Sequence, residues 1–172
     1  MNIVLIGYRG TGKSQVGALL AEMLDMRVVS MDEEIVKTAA MSIPEIVERF
    51  GWSDFRQRET DEARKLSGLD GLVIDCGGGV IERSENIELL QKNAQLFWLR
   101  AEVATIVARI QGGTERPALV AGKTFTEEVA EVLDRRRPLY RNAAHHEIDT
   151  DALTPQQVAE QIVARWNAPV SG

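Results

Sequence analysis

Cysteine is nearly missing. Cys76 is the only one in 172 residues, which excludes an intrachain disulfide and a cysteine-rich zinc site. It stands at the end of an apolar run beside glycines and reads as a small buried thiol rather than a nucleophile. No apolar run approaches the roughly 18 residues of a membrane span, and Met1 leads straight into a strand-like segment without a signal-peptide pattern. A soluble cytoplasmic protein is therefore expected. Repeats, low-complexity tracts and linkers are also missing. So is surplus positive charge: 20 Lys and Arg against 26 Asp and Glu leave a net charge of −6, which argues against nonspecific binding to nucleic acid or an anionic membrane. Anionic substrates would have to be met by arginines gathered in one place. At 44% hydrophobic and 27% charged residues, the chain suits one domain, 1–172, with a substantial core.

What is present begins with Gly7-Tyr8-Arg9-Gly10-Thr11-Gly12-Lys13-Ser14, which fits G-x-x-x-x-G-K-[ST]. The run Asn2-Ile3-Val4-Leu5-Ile6 before it reads as a buried strand, and residues 14–24 after it as an amphipathic helix. The context is the one the motif needs. Glycines let successive backbone N–H groups turn inward around phosphate oxygens, the helix start favours negative charge, and Lys13 adds a mobile cation. Gly10, Thr11, Gly12, Lys13, Ser14 and Gln15 are thus read as the nucleotide-phosphate site, with Ser14 placed to ligate Mg²⁺. Tyr8 and Arg9, at variable positions of the motif, carry no assigned role.

Further strands are expected at residues 27–30, 72–75, 94–99 and 147–150. Helices fill the gaps: two or three short ones between the second and third strands, broken at Gly51, then 84–92, 102–110, a helix from 125 to 135 or beyond, and a last one opened by Pro155. The alternation implies an α/β protein with a central parallel five-stranded sheet flanked by helices and ligands at the carboxyl ends of the strands. The insertion at about 32–66 exceeds what a simple crossover needs. The stretch 111–123, with Gly112, Gly113, Pro117 and Gly122 around Arg116, shows no strong period and reads as a lid.

At the predicted strand ends stand Asp32, Arg56, Gly77, Gly78, Gly79 and Arg136. Guanidinium forks suit a carboxylate or phosphate, and an aspartate beside a hydroxyl can orient it or take its proton. Taken in order, the P-loop, Asp32…Ser42-Ile43, Phe55-Arg56 with Glu59, Gly77-Gly78-Gly79, Arg116-Pro117 and Arg136 before Pro138-Leu139-Tyr140-Arg141 resemble the shikimate kinases. These are P-loop enzymes of the nucleoside-monophosphate-kinase-like group, and the likeness covers nearly the whole chain. It implies Mg²⁺-dependent transfer of the ATP γ-phosphate to the 3-hydroxyl of shikimate, in aromatic amino acid biosynthesis, by a monomer. Lys13, Asp32 and Arg116 would be catalytic. Asp32 would hold a substrate hydroxyl, Arg56 and Arg136 would clamp the carboxylate among Gly77, Gly78 and Gly79, and Glu59 would orient Arg56. Arg116 would close over the phosphates, and Arg109 and Pro155 would flank adenine. A kinase of another small hydroxy acid such as gluconate, or a nonenzymatic ATP-binding sensor, are the alternatives.

One position departs from the family pattern. Where shikimate kinases usually carry Asp-x-Asp after the second strand, this chain has Ser30-Met31-Asp32, and the missing first Asp is the one associated with Mg²⁺. Asp75 at the end of the third strand, where the family more often has a small hydroxyl residue, is the expected replacement. It should lie within one water of the Ser14 hydroxyl, on the same side as Ser30, and serve the metal through water.

Overall fold

The computed structural model describes residues 1–111 and 124–168. The expected lid, with Arg116, therefore lies outside the described residues, as does the end of the C-terminal tail. Five strands form one sheet: β1 (Asn2–Ile6), β2 (Arg27–Ser30), β3 (Leu72–Asp75), β4 (Ala94–Arg100) and β5 (His146–Asp149). Their order is β2-β3-β1-β4-β5, and every adjacent pair is parallel.

β1 and β3 are buried along their whole length, as strands covered on both faces must be, so their sequences are unbroken apolar runs rather than alternating ones. Alternate residues still serve different faces. Ile3, Leu5, Val73, Phe97 and Leu99 pack against Val16 and Leu20 of helix α1 (Lys13–Leu24) and Val158 and Ile162 of helix α7 (Pro155–Trp166). On the other face Val4, Ile6, Ile74, Leu96 and Trp98 meet α3 (Ile43–Ser67), α4 (Ser84–Gln91), α5 (Val103–Gln111) and α6 (Phe125–Ala143). A satellite cluster of Ile35, Ile46 and Phe55 joins α2 (Met31–Ala39) to α3.

The insertion is built from local signals. Ser30 caps α2 by accepting from Glu33 N. Ser42 and Glu45 form a reciprocal capping box at the start of α3. Gly51 breaks α3 into two helical segments with φ 84° and ψ 169°, a conformation that disfavours any side chain. Several boundaries differ from the sequence reading by a residue, and two differences have a visible cause. β5 starts one residue earlier, at His146, whose ring stacks on Phe97 with centroids 4.7 Å apart. α6 continues through Pro138 to Ala143 because its last turns are held from outside: Tyr140 is fully buried and stacks on Trp98, centroids 5.7 Å apart, which outweighs the hydrogen bond that proline cannot donate.

The strand order reverses direction at β1. The chain passes from β1 to β2, returns through β3 beside β1, and then crosses to β4 on the other side. A crevice at the carboxyl ends of β1 and β3 follows from that reversal, and the motifs read from the sequence open into it.

Candidate active site

The loop leaving β1 takes its shape from its glycines. Gly7, Gly10 and Gly12 have φ of 146°, 80° and 90°, values that favour glycine. Even the space is taken at Gly7, where a Cβ would collide with the Leu99 carbonyl oxygen. Thr11 Oγ1 donates to the Tyr8 carbonyl at 2.8 Å, and Lys13 Nζ donates to the carbonyls of Gly7 at 2.7 Å and Tyr8 at 3.0 Å. Lys13 is buried, and loss of hydration lowers its pKa, a fall opposed chiefly by the nearby charge of Asp75. Ser14 and Gln15 follow on the exposed first turn of α1.

Asp75 closes this side. Ser14 Oγ donates to Asp75 Oδ2 at 2.7 Å, a direct contact where the sequence reading allowed one intervening water. Ser30 and Asp75 are register partners on the parallel strands β2 and β3, so their side chains leave the sheet on the same side. The serine hydroxyl and buried carboxylate are hard oxygen donors beside a phosphate loop, the chemistry Mg²⁺ selects. Among the described residues, no cluster of three His, Cys, Asp or Glu is able to hold a metal alone. An ion held by few protein oxygens, with nucleotide phosphates and water completing its shell, fits these residues.

The acceptor side is organised by three consecutive glycines, each backing a different functional side chain. A Cβ at Gly77 would lie 2.7 Å from Asp32 Oδ1; one at Gly78, 3.3 Å from Arg136 Nη1; and one at Gly79 would run into the Arg56 guanidinium. The same Gly78 position is 3.6 Å from the Gly7 carbonyl oxygen and the Arg9 nitrogen, so the phosphate loop abuts the glycines that back Asp32, Arg136 and Arg56. Asp32 sits in the first turn of α2, and its Oδ1 is buried without a hydrogen-bond partner among the described residues. Its pKa is raised, first by burial and then by the neighbouring Asp75, with Lys13 and Arg56 pulling the other way. An unpartnered acceptor of this kind is costly in a folded protein and suits a ligand hydroxyl.

Arg56 is pinned by a very short ion pair to the buried Glu59 and lies 5.4 Å from the ring centroids of both Trp52 and Phe55. Burial raises the Glu59 pKa, and the Arg56 charge counters that rise. Arg136 Nε donates to Glu82 Oε1 at 2.8 Å, and its guanidinium carbon is 5.9 Å from the Tyr8 ring centroid. Arg109 ties α5 to the phosphate loop, donating to the Gly10 carbonyl at 3.3 Å and to Thr150 Oγ1 and O at 3.1 Å each. Pro155 opens α7 after the turn that begins at Thr150. Cys76 is buried, and burial pushes its thiol well above the usual range, which suits the inert reading rather than a nucleophilic one.

The sequence reading missed three residues: Tyr8, Glu82 and Tyr140. Tyr140 was within reach, because it follows Arg136 by four positions and so shares its helix face; its hydroxyl donates to the Gly78 carbonyl at 2.5 Å. Glu82 carries no such signal. It stands on a short 3₁₀ turn, Val80–Glu82, and meets Arg136 across 54 residues of sequence.

A phosphate-binding loop abutting glycines that back two arginines and a buried aspartate defines a P-loop enzyme of the small-molecule kinase class. A family model described as shikimate kinase matches residues 9–167. The chain is 41% identical over 171 residues to a shikimate kinase of Thermodesulfovibrio yellowstonii, covering 99% of this chain and 98% of that one. With a shikimate kinase of Caldicellulosiruptor bescii the identity is 38% over 163 residues, covering 95% and 94%. Among solved structures, shikimate kinase from Acinetobacter baumannii in complex with shikimate matches with a TM-score of 0.88 at 33% identity, covering 96% of this chain and 92% of that one. The chain belongs to the shikimate kinase family.

Proposed function

We propose that this protein transfers the γ-phosphoryl group of ATP to the 3-hydroxyl of shikimate, giving ADP and shikimate 3-phosphate. The observation that carries the reading is the glycine run 77–79, which backs Asp32, Arg136 and Arg56 in turn while abutting the phosphate loop. Donor and acceptor residues thus line one crevice, as in-line transfer requires. Arg56 and Arg136 hold the acid's carboxylate, and the free Oδ1 of Asp32 accepts from a hydroxyl and aligns it. Lys13 exchanges its two loop carbonyls for phosphate oxygens. Arg109 and Pro155 flank the adenine, and Arg116 adds charge over the phosphates. Ser14 and Asp75 hold Mg²⁺, which neutralises phosphate charge when bound. In this reading the chain is a single kinase domain, with the acid bound by the insertion at 32–66 and the lid at 111–123, and it acts as a cytoplasmic monomer on ATP and shikimate. No described helix is long and apolar enough to cross a membrane.

The test is ADP release in a coupled assay at fixed Mg²⁺, with shikimate, with gluconate and with neither. Release that needs shikimate and ignores gluconate is expected. Nucleotide binding with no shikimate-dependent turnover would favour a sensor instead.

The metal assignment has its own test. Asp75→Ser should raise the Mg²⁺ concentration needed for half-maximal turnover by about 10–100-fold, with a parallel shift in Mg²⁺-dependent ADP binding by calorimetry. Adding Ser30→Asp should recover most of the loss, because the two positions are register partners and aspartate caps a helix as well as serine does. A Mg²⁺ requirement unmoved by Asp75→Ser removes Asp75 from the site.

A further inference from the structure

The two arginines assigned to the acid's carboxylate are held by different means. Arg56 has its acidic partner one turn away on the same helix. Arg136 has none on α6 within a turn; its neighbours at three and four positions are Val132, Leu133, Leu139 and Tyr140. Its partner comes from the turn after β3, where Glu82 Oε1 accepts from Arg136 Nε at 2.8 Å and also from Arg135 Nη2 at 3.1 Å.

These two contacts are not equivalent. The Arg136 side chain is 13% exposed and that of Arg135 is 62% exposed, so the Arg135 arm is an ordinary surface pair of little weight. The inner arm occupies one edge of the Arg136 guanidinium. A guanidinium can grip a carboxylate along its Nε side or across its two terminal nitrogens. With Nε taken by Glu82, the terminal end is left, and Nη1 is the atom nearest the position a Gly78 Cβ would occupy, at 3.3 Å. The Tyr8 ring lies against the same guanidinium.

We infer that Glu82 is a positioning residue for the acceptor acid: by holding Nε it fixes which end of Arg136 faces the glycine run and the bound carboxylate. The inference rests on the proposed hold of Arg136 on shikimate. It treats Glu82 as acting through Arg136 alone, which separates it from a brace that merely ties the 3₁₀ turn to α6.

The experiment is steady-state kinetics of ADP release with shikimate and ATP varied separately. Glu82→Ala should raise the shikimate KM about tenfold or more while the ATP KM stays within about twofold. Glu82→Gln, which keeps an acceptor oxygen for Nε, should return the shikimate KM to within about threefold of the parent. In an Arg136→Ala background, Glu82→Ala should add nothing, because the group it acts through is gone. Arg135→Ala should leave both KM values unchanged. The inference is overturned if Glu82→Ala leaves the shikimate KM unmoved, if both KM values rise together, if glutamine fails to rescue, or if the loss persists in the Arg136→Ala background. A parent protein that releases no ADP with shikimate overturns the reaction itself, whereas an active parent with an indifferent Glu82→Ala variant overturns only the role of Glu82.

Discussion

Asp32→Asn lowers kcat for shikimate-dependent ADP release by about 10²–10⁴-fold and leaves the ligand-free protein at least as stable as the parent. The first half follows from the role proposed for Oδ1, the buried acceptor without a partner among the described residues. An amide of nearly the same shape cannot take a proton and presents a weaker acceptor to the hydroxyl. The second half follows from the raised pKa of Asp32, caused chiefly by burial and then by Asp75. A carboxyl whose folded pKa lies above its unfolded value stabilises the fold when protonated, and that contribution is lost as pH rises through the folded pKa. Above its folded pKa the parent therefore carries a charge the fold would rather not hold, and asparagine removes it. The difference in melting temperature between variant and parent should be largest at neutral pH and shrink as pH falls through the raised pKa towards the usual aspartate range. Thermal melts across that range, paired with kcat at neutral pH, check both halves. A variant with near-parental kcat, or a stability gap that widens in acid, contradicts the account.

Gly79→Ala should cut kcat/KM for shikimate by about 10–150-fold, the equivalent of one charge-assisted hydrogen bond of about 1.5–3 kcal/mol. The backbone is not the reason. Gly79 has φ −94° and ψ 8°, which alanine adopts without strain. The added methyl instead meets the Arg56 guanidinium, and yielding to it means shifting a group that is ion-paired to the buried Glu59 and lies 5.4 Å from the ring centroids of Trp52 and Phe55. Because Gly79 backs Arg56 whereas Gly78 borders the phosphate loop, the ATP KM should stay within about twofold. Kinetics with each substrate varied in turn separates the two sides. A shikimate KM indifferent to the methyl would mean that Arg56 does not touch the acid.

These two variants concern residues of very different legibility. The phosphate loop is readable because its chemistry is local: four fixed positions, a preceding apolar strand and a following helix all lie within 24 residues. The strands are readable for a related reason, since a sheet covered on both faces needs unbroken apolar runs such as Leu72-Val73-Ile74. Asp32, Arg56 and Arg136 are another matter. Their places near predicted strand ends made them candidates and the resemblance to the family gave them roles, but nothing in their spacing sets the contacts that the glycine run makes with each. Asp75 was reached from a departure in that resemblance, and its contact with Ser14 is tighter than expected. Glu82 and Tyr8 stayed hidden because their effect on Arg136 arises from side chains on three separate elements, and such contacts leave no periodic trace in a sequence.

The resting place of Lys13 has a consequence for which anions the loop retains. Two of the three donors of its ammonium already go to the Gly7 and Tyr8 carbonyls, so at those two a newcomer gains only the difference between the existing bonds and the ones it offers. A small oxyanion has little with which to win that exchange. A polyphosphate tail, reaching the helix start and several amides at once, displaces the carbonyls with interactions to spare. On the proposed role of the loop, it should therefore discriminate by the length of its guest, and orthophosphate should compete poorly for it.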